Sequence, residues 1–562
     1  EMDASTISAR HDAIEYFLAN DHLRETIRAA LKAAPDLERA RSRIRLGRGG
    51  PRDLAAIGAA LTAGERAVAD VTRAQTHPPE LIEAALQALT LTNHPDLAAL
   101  SSDIGRALAE DLPTLARDGG FIAAGWDAAL DEARGLKSDS RKIIAELQTR
   151  YADETGITAL KIKYNNVLGY FIDVPARHAD PMMRAPLAET FIHRQTLASN
   201  VRFSTSELSE LAGKISRADD IAKGRELAIF ETFCQRVETQ SIALSASAQA
   251  LAELDTASAG AEWASETGAV RPSLSDQPVF DADGLRHPVV EASLRKQGEG
   301  FTANQTQLDA RGEDAPRLAL VTGPNMAGKS TYLRQACLAV ILAQAGLYVP
   351  ARSLTLGLAD RVFSRVGASD DLSRGRSTFM VEMVETAAIL TQATERSFVI
   401  LDEVGRGTST YDGLAIAWAA VEHLHNTNKC RALFATHYHE LTNLAQDLTA
   451  ATNLSLRAKE WKDELVFLHD VQAGPADRSY GVQVARLAGL PPRAVKRAEQ
   501  VLKKLEATPD AVETLPLFAM TPDAPDPEPV SHPSLDLLEQ IDPDGLTPRE
   551  ALDLIYKLKN QT

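Results

Sequence analysis

Residues 1–150 place apolar side chains three and four positions apart, which predicts a series of amphipathic helices. Pro78-Pro79 and Gly119-Gly120 interrupt the pattern, because proline and glycine pairs break helices. Between these breaks the segment is rich in Leu, Ala, Arg, Glu and Asp, so it supplies both an apolar stripe and charged faces. We therefore predict a helical core over residues 1–150.

A different pattern follows this core. Residues 159–174 are β-branched and aromatic around Asn165-Asn166, which predicts a β-hairpin or small sheet within a β-rich insert over residues 151–205. One apolar stripe with few breakers then fills residues 206–260, and fifty helical residues would span about 75 Å. The sequence thus predicts a small insert held away from the core by long helices.

Beyond residue 260 the pattern is mixed. Short apolar runs alternate with helical stretches, which is typical of a parallel sheet covered by helices. We predict an α/β domain over residues 261–506, and its end has the pattern of a helix-turn-helix. Residues 507–533 contain seven prolines among acidic residues and are predicted to be a disordered linker. A short helical segment is predicted over residues 534–562.

Charge and composition exclude several classes of protein. Sixty Lys and Arg against 77 Asp and Glu give a net charge of −17, which argues against a protein that coats nucleic acid non-specifically. Three isolated cysteines argue against a disulfide framework or a structural zinc. No signal peptide and no membrane span are predicted. We expect a soluble cytoplasmic protein, and its start at Glu1 suggests that the natural N-terminus lies further upstream.

Residues 323–330 fit the phosphate-binding pattern G-x-x-x-x-G-K-[ST], between an apolar run and a helical stretch, as a P-loop requires. In such a loop backbone N–H groups face the phosphates, the lysine binds the β- and γ-phosphates, and the hydroxyl binds Mg²⁺. We therefore predict a nucleotide site at Gly323, Pro324, Asn325, Met326, Ala327, Gly328, Lys329, Ser330 and Thr331, with Ser330 also on the metal.

A second apolar run, residues 398–401, ends in two acids. We expect Asp402 to hold Mg²⁺ through water, and Glu403 to orient or deprotonate an attacking water. Adjacent carboxylates favour hydrolysis over phosphoryl transfer to a small acceptor. His437 follows a third apolar run and is predicted to contact the γ-phosphate or the water, although an ordinary surface histidine fits the position equally well.

Residues 373–380 read SRGRSTFM before a helical stretch, which predicts a second anion-binding helix start. Because the P-loop already supplies one phosphate cradle, we predict that this one reaches a nucleotide bound by another subunit. Two nucleotides would then be sandwiched between two such domains, and residues 405–410 would line the same seam. An ordinary polar turn is the alternative for each loop.

Four segments together resemble the MutS family of bacterial DNA mismatch-repair ATPases: TGPNMAGKSTY (322–332), DLSRGRSTFMVEM (371–383), LDEVGRGTSTYDG (401–413) and FATHY (434–438). Residues 286–291 and the β-rich insert fit the same family. The resemblance implies a multidomain fold. An all-α core and lever would carry a small β-rich DNA clamp, followed by an α/β P-loop ATPase domain of the ABC type and a short C-terminal segment of oligomerisation helices.

The resemblance also implies individual roles. The family's P-loop asparagine lies near the γ-phosphate, and an aromatic residue and a histidine lie at the adenine; the matching residues here are Asn325, Phe301 and His469. Ser377 matches the serine that reaches the partner subunit's nucleotide, and His437 matches the switch histidine. The implied catalytic set is Glu403, His437, Lys329 and Ser377. In the family the terminal helix pair packs on the neighbouring ATPase domain rather than reading DNA.

Contact with double-stranded DNA is best placed on the clamp. Over residues 136–203 ten Lys and Arg stand against seven Asp and Glu, so the local net charge is 10 − 7 = +3. That suits contact with the phosphate backbone without base reading, and a solvated charged face is the alternative. The predicted contacts are Lys163, Asn165, Arg194, Gln195, Thr196 and Arg202. Ala198-Ser199 replaces the Lys-Asn of many relatives, so contacts there are in doubt.

Partner contacts are predicted near the end of the chain. Residues 514–518, TLPLF, resemble a peptide that binds the DNA polymerase sliding clamp, although Thr514 replaces the usual glutamine and a chance apolar cluster is the alternative. Two further residues match positions that pair between subunits in a higher oligomer. The predicted partner-binding residues are Leu515, Leu517, Phe518, Asp544 and Arg549. The resemblance implies a homodimer, a tetramer as its extension through the C-terminal helices, and a MutL-like repair partner.

These features predict a DNA mismatch-repair ATPase that uses ATP and Mg²⁺ to close a sliding clamp on duplex DNA. No segment resembles the family's N-terminal mismatch-reading domain, with its Phe-x-Glu wedge, or its connector. We therefore expect homoduplex and mismatched DNA to bind about equally. Three alternatives stay open: a catalytically silent structural DNA clamp, a chromosome-organising ABC-type ATPase, and a small-molecule kinase.

Overall fold

The computed structural model describes residues 1–165, 168–367, 378–461, 464–476 and 481–506. The predicted linker and closing segment lie outside these residues. So do the predicted site residues Ser377, Leu515, Leu517, Phe518, Asp544 and Arg549. The chain divides into two compact units, Glu1–Ser479 and Tyr480–Thr562.

The beginning of the chain forms a helical body. Its helices are α1 (Ala4–Leu18), α2 (Asp21–Ala33), α3 (Leu37–Arg45), α4 (Pro51–Arg73), α5 (Glu80–Leu89) and α6 (Pro95–Ala107). Their start signals are local: the Asp3 carboxylate caps α1 by accepting the Ser5 and Thr6 N–H groups, and α4 begins at Pro51. The apolar stripes of these helices meet in one core around Phe17, as their spacing predicts.

Two long helices leave this body and return to it as an arm. The helices of this region are α7 (Ala128–Thr155), α8 (Leu187–Thr190), α9 (Ser206–Thr239) and α10 (Ser241–Thr267). The lever predicted over residues 206–260 is corrected in one respect, because Gln240 leaves the helical conformation and separates α9 from α10. No glycine or proline marks this break. Because α10 packs on α1, α2 and α5, its packing against the helical body determines where the helix is interrupted.

A buried carboxylate fixes the base of the arm. Glu226 lies on the buried face of α9 and is 2% exposed. It accepts the Gly120 N–H at 2.6 Å and pairs with Arg134 on α7. A buried carboxylate is costly unless it has such partners. The Gly119-Gly120 pair, which the sequence identifies as a helix breaker, is therefore a loop that Glu226 ties to the arm.

A small antiparallel sheet lies at the far end of the arm. Its strands are β1 (Lys161–Asn165), β2 (Gly169–Pro175), β3 (Ile192–Thr196) and β4 (Asn200–Ser204), in the order β1-β2-β4-β3. The hairpin predicted around Asn165 is β1 and β2. Ile172, Val174 and Phe203 face the arm helices and are buried there with Tyr151 of α7. One apolar face of the sheet thus packs against the arm.

Two further sheets follow the arm. The first contains β5 (Ser273–Ser275), β6 (Val279–Leu285), β7 (Asn304–Asp309) and β9 (Ser353–Gly357), in the order β5-β9-β6-β7, with α11 (Pro288–Gln297) beside it in sequence. The second contains β8 (Leu318–Thr322), β10 (Val362–Arg365), β11 (Phe398–Asp402), β12 (Arg431–Ala435), β13 (Ala451–Trp461) and β14 (Glu464–Ala473). Its order is β10-β11-β12-β8-β13-β14, and all neighbours are parallel except β13 and β14.

The three apolar runs that the sequence identifies are β8, β11 and β12, adjacent in this sheet and buried along their whole length. The covering helices are α12 (Lys329–Ala345), α13 (Thr378–Gln392), α14 (Thr410–His423) and α15 (Leu444–Asp447). In the parallel register Asp402 pairs with Ala435, and Ala435 pairs with Val321. The carboxyl ends of all three strands therefore meet at one edge, where a ligand site is expected.

The second unit contains α16 (Gly481–Leu487) and α17 (Pro492–Glu506), at the position of the predicted helix pair. Val495 is buried, and Arg486 forms an ion pair with Glu499 across the two helices. Throughout the described ranges, no helix combines the length and the apolar composition needed to cross a membrane.

Candidate functional site

The predicted P-loop joins β8 to α12 at the carboxyl edge of the second sheet. Gly328 has φ = +102°, a left-handed conformation that favours glycine, and α12 begins at the next residue. The amino end of this long helix therefore points its N–H groups and positive dipole end toward the edge. Ala327 is buried and Met326 is exposed, while the side chain of Asn325 lies outside the described part of the structure.

Lys329 is the buried cation of the site. Its side chain is 2% exposed, and its Nζ donates to the Gly323 carbonyl at 2.5 Å. Burial lowers the pKa of Lys329, whereas the charges of Glu403 and Asp402 oppose that shift. Its Nζ lies 3.8 Å from Glu403 Oε1. The lysine therefore concentrates positive charge in a poorly hydrated place, which suits a phosphate.

Asp402 and Ser330 come together as the sequence predicts. Burial raises the pKa of Asp402, and a hydrogen bond from Ser330 opposes that rise. Within the described structure, Asp402 Oδ1 is buried and has no hydrogen-bond partner. A buried oxygen without a partner is costly, and a carboxylate beside a hydroxyl is a donor set that suits Mg²⁺. These two residues therefore fit the predicted metal position.

Glu403 follows β11 in an unusual backbone conformation. Its φ is +54°, which is rare for a residue with a side chain, and such strain occurs most often at functional sites. Its N–H donates to the Ala435 carbonyl at 2.9 Å, which fixes the backbone against the end of β12. Its Oε2 accepts a hydrogen bond from Arg406 at 2.6 Å. The carboxylate is thereby held beside Lys329 at the sheet edge.

His437 lies two residues beyond β12, on the same edge. The ring is largely exposed, yet the protein around it desolvates it enough to lower its pKa, against the opposing charge of Glu403. The ring is therefore neutral at neutral pH, and it lies 4.1 Å from the Tyr438 ring between centroids. A neutral imidazole can both accept and donate a hydrogen bond. This position suits the predicted contact with a phosphate or a water.

His469 contacts the P-loop from β14, and Phe301 lies in the segment before β7. His469 Nδ1 lies 2.8 Å from the Ala327 carbonyl, which can only accept, so Nδ1 carries the proton. Thr302, next to the half-buried Phe301, donates to the Leu468 carbonyl at 3.3 Å. A hydrogen bond thus joins the segment that carries Phe301 to the strand that carries His469, the other residue that the resemblance assigns to the adenine.

Asn304 is a site residue that the sequence reasoning missed. Its Nδ2 donates to the His469 carbonyl at 3.0 Å, and its Oδ1 accepts the Val471 N–H at 2.8 Å. These bonds hold His469 at φ = +53°. Asn304 occupies an inward position of β7, on the same face as buried Thr306, while Gln305 between them is exposed. The sequence signal that could have identified Asn304 is a polar residue at an inward position of a strand.

Comparisons with known proteins agree with this geometry. Three family models match the chain: MutS domain III over residues 1–261, MutS domain V over 319–506, and the DNA mismatch repair protein MutS C-terminal region over 527–561. The chain belongs to the MutS family. The first match spans the helical body, arm and small sheet, and the second spans the P-loop and the acidic strand. The family is one of DNA mismatch repair.

Individual relatives carry the same name. The chain is 54% identical to the DNA mismatch repair protein MutS of Caulobacter sp. (strain K31), over 99% of this chain and 63% of that protein. It is 54% identical to the MutS of Rhodopseudomonas palustris (strain HaA2), over 99% and 62%, and 51% identical to that of Nitrobacter hamburgensis, over 99% and 62%. The chain thus spans a little over three fifths of these relatives.

The predicted DNA contacts of this MutS chain lie on its small sheet, but two of the cations among them, Lys163 and Arg202, are engaged within the protein. Lys163 Nζ lies 2.6 Å from Asp173 Oδ2. Arg202 donates to Gln195 at 2.9 Å and its guanidinium lies 4.6 Å from the centre of the Phe171 ring. Asp173 is nearly buried and was not identified from the sequence. Part of the positive charge counted there is therefore neutralised locally.

The remaining contacts are more accessible. Arg194, Gln195 and Thr196 belong to β3, an edge strand whose residues are all exposed. Asn165 ends β1, and its side chain accepts the Leu168 N–H at 2.7 Å, which closes the hairpin turn. In the part of the chain that the structure describes, Arg194 has no ion-pair partner. Of the predicted DNA contacts, it is therefore the cation that is best placed to meet a phosphate.

Proposed function

We propose that this MutS chain hydrolyses ATP and uses the reaction to control a clamp on duplex DNA. The observation that carries the proposal is the meeting of Lys329, Ser330, Asp402 and Glu403 at the carboxyl edge of three adjacent parallel strands. Phosphate, metal and water positions then have candidate residues within one site. The adjacent acids favour water as the acceptor over a small-molecule substrate.

Each residue has a separate role in the proposed reaction. Lys329 and the N–H groups at the start of α12 bind the phosphates, while Ser330 and Asp402 would hold Mg²⁺, which neutralises charge on the phosphate oxygens when bound. Glu403 orients a water and takes its proton as the water oxygen bonds to the γ-phosphorus. The bond from that phosphorus to the β–γ bridging oxygen breaks, and ADP leaves. His437 is placed to contact the γ-phosphate.

We propose further that two copies share these sites, with Ser377 of each subunit reaching the other's nucleotide. The arm of α7 and α9 links the helical body to the small sheet, so closure of the ATPase domains can move the sheets around DNA. A MutL-like protein, the DNA polymerase sliding clamp and a tetramer through the C-terminal helices are proposed partners and assemblies. DNA is held by its phosphates rather than by its bases.

If two subunits complete each site, the specific ATPase rate should rise with protein concentration and then saturate. The same titration with double-stranded DNA should reach a higher plateau, because clamp engagement is coupled to the site. Steady-state phosphate release over a range of protein concentrations measures both effects. A rate per subunit that is independent of concentration down to the lowest measurable value would argue against the shared site. Binding without turnover would favour the silent clamp instead.

Substitution of Arg194 by alanine should weaken DNA binding and lower the slope of log K against log salt by about one, because one phosphate contact is lost. The loss should be equal for different DNA sequences. Fluorescence anisotropy with duplex DNA at several salt concentrations measures the slope. Arg184→Ala, which removes an exposed arginine from the same insert but outside β3, is the matched control. An unchanged slope for Arg194→Ala would remove β3 from the proposed interface.

A further inference from the structure

A buried glutamate on α13 is bonded to the loop that carries Glu403. Glu382 is 6% exposed, and its Oε1 accepts the Gly405 N–H at 2.5 Å. Its Oε2 lies 3.5 Å from Nη2 of Arg365, the last residue of β10. Arg365 Nε lies in turn 3.0 Å from Glu385 Oε2 on the same helix. One carboxylate thus joins α13, β10 and the loop after β11.

Gly405 is also held through its carbonyl group. The Tyr438 hydroxyl donates to the Gly405 carbonyl at 3.2 Å. Burial raises the pKa of Tyr438, and the nearby charge of Glu382 adds to the rise, so the hydroxyl keeps its proton and donates. Tyr438 directly follows His437. Gly405, two residues from Glu403, therefore connects α13 with the segment that carries His437.

Packing leaves Gly405 little room to move. Gly405 has φ = +91°, and a Cβ at this position would lie 2.4 Å from the Gly413 carbonyl oxygen at the start of α14. The loop is therefore pressed against α14 while Glu382 and Tyr438 hold its N–H and its carbonyl. A small shift of either contact would move the Glu403 carboxylate relative to Lys329.

A buried ion pair is a weak source of stability, since two apolar side chains of similar size often stabilise a protein as well or better. Glu382 and Arg365 side chains are each 7% exposed. The buried face of α13 could have been anchored by apolar contacts alone. A carboxylate at this place has a different use, because it is a directed acceptor for one particular backbone N–H.

We propose that Glu382 is a positioning residue that holds the Glu403 loop of its own subunit. The proposal rests on the proposed function, in which Glu403 orients the attacking water. Under it Glu382 supports hydrolysis within its own subunit, whereas Ser377, which precedes α13 in the sequence, acts on the partner's nucleotide in the proposed function. Removal of Glu382 should therefore lower kcat and leave KM for ATP nearly unchanged.

The first test compares three variants by steady-state kinetics and ATP binding. Glu382→Ala should lower kcat about tenfold or more, as expected for loss of one charge-assisted hydrogen bond, with KM changed less than twofold. Glu382→Gln keeps an oxygen that accepts the Gly405 N–H and should recover most of the rate. Glu385→Gln, which also removes a charge facing Arg365, should behave as the unaltered chain. A larger KM with unchanged kcat, or no recovery by glutamine, would overturn the proposal.

The second test distinguishes a residue that supports the site of its own subunit from one that supports the site of the partner subunit. In a mixture with Lys329→Ala, the competent nucleotide site belongs to the other variant, and Ser377 reaches it from the Lys329→Ala subunit. Ser377→Ala should therefore regain activity on mixing, whereas Glu382→Ala should not, because its own Glu403 loop is affected. Regained activity for Glu382→Ala would contradict the proposal.

Failure of the Ser377→Ala pair to regain activity would count against the shared site of the proposed function instead. In that case the proposal for Glu382 is judged only by the kcat and KM values of the Glu382 variants. If Glu382→Ala does not fold, Tyr438→Phe removes the second bond to Gly405 and should lower kcat with unchanged KM. An unaltered kcat for Tyr438→Phe would be evidence against Gly405 as the connection.

Discussion

Replacement of Glu403 by alanine should leave ATP binding intact and lower steady-state hydrolysis about 10²- to 10⁴-fold, the usual contribution of a general base. The carboxylate lies at the sheet edge, 3.8 Å from Lys329 Nζ, and its backbone is fixed by the Ala435 carbonyl. No other acid in the described structure is placed beside both the lysine and Asp402 in this way. Its loss should therefore remove water activation without removing the phosphate contacts.

Two measurements check this result: phosphate release at saturating ATP, and nucleotide affinity by calorimetry with excess Mg²⁺. Glu395→Ala is the matched control, since Glu395 is an exposed acid before the opposite end of β11. Glu403→Gln should be nearly as inactive as the alanine variant, because an amide cannot take the proton. Turnover within twofold of the unaltered chain would remove Glu403 from its proposed role.

Replacement of Lys329 by alanine should weaken ATP binding about 100-fold, as expected when a charge-assisted hydrogen bond and the local positive charge are both lost. The reason is the surroundings of the ammonium group. It is buried beside Glu403 and Asp402, so its removal leaves two carboxylates that repel the triphosphate. Hydrolysis should fall at least in proportion at low ATP concentration.

Titration with a fluorescent ATP analogue measures the loss of affinity. Lys296→Ala, which removes an exposed lysine at the end of α11, should bind as the unaltered chain does. Because Lys329 is buried, the thermal unfolding curve of the variant should be recorded with it. A folded Lys329→Ala protein with unchanged affinity would show that the P-loop pattern here does not bind the triphosphate.

The local sequence pattern was sufficient to predict the strands and the helix that carry the site. The apolar runs became β8, β11 and β12, because a continuous run of buried side chains is stable only inside a covered parallel sheet. The hairpin around Asn165 and the helix after Gly328 also followed from local signals. In both cases the deciding interactions are between residues close in sequence.

Several contacts between distant residues were not predicted. Asn304 and His469 are 165 positions apart, and Glu382 and Gly405 are 23 apart. The spacing of these residues in the sequence does not indicate that they meet. Glu226, placed on an apolar helix stripe, and Asp173, placed in a strand, are further examples. Their partners could be identified only once the chain had folded.

For this MutS chain, the sequence by itself determined a glycine-rich loop between a buried strand and a helix, two acids at the end of another strand, and a small sheet carried on long helices. Those features depend on residue spacing and backbone preference, which are local. The tertiary structure alone decided that the lever divides at Gln240, that Lys163 faces Asp173, and that Glu382 bonds to Gly405. The physical reason is that buried polar groups must find partners, and those partners come from whichever element packs against them.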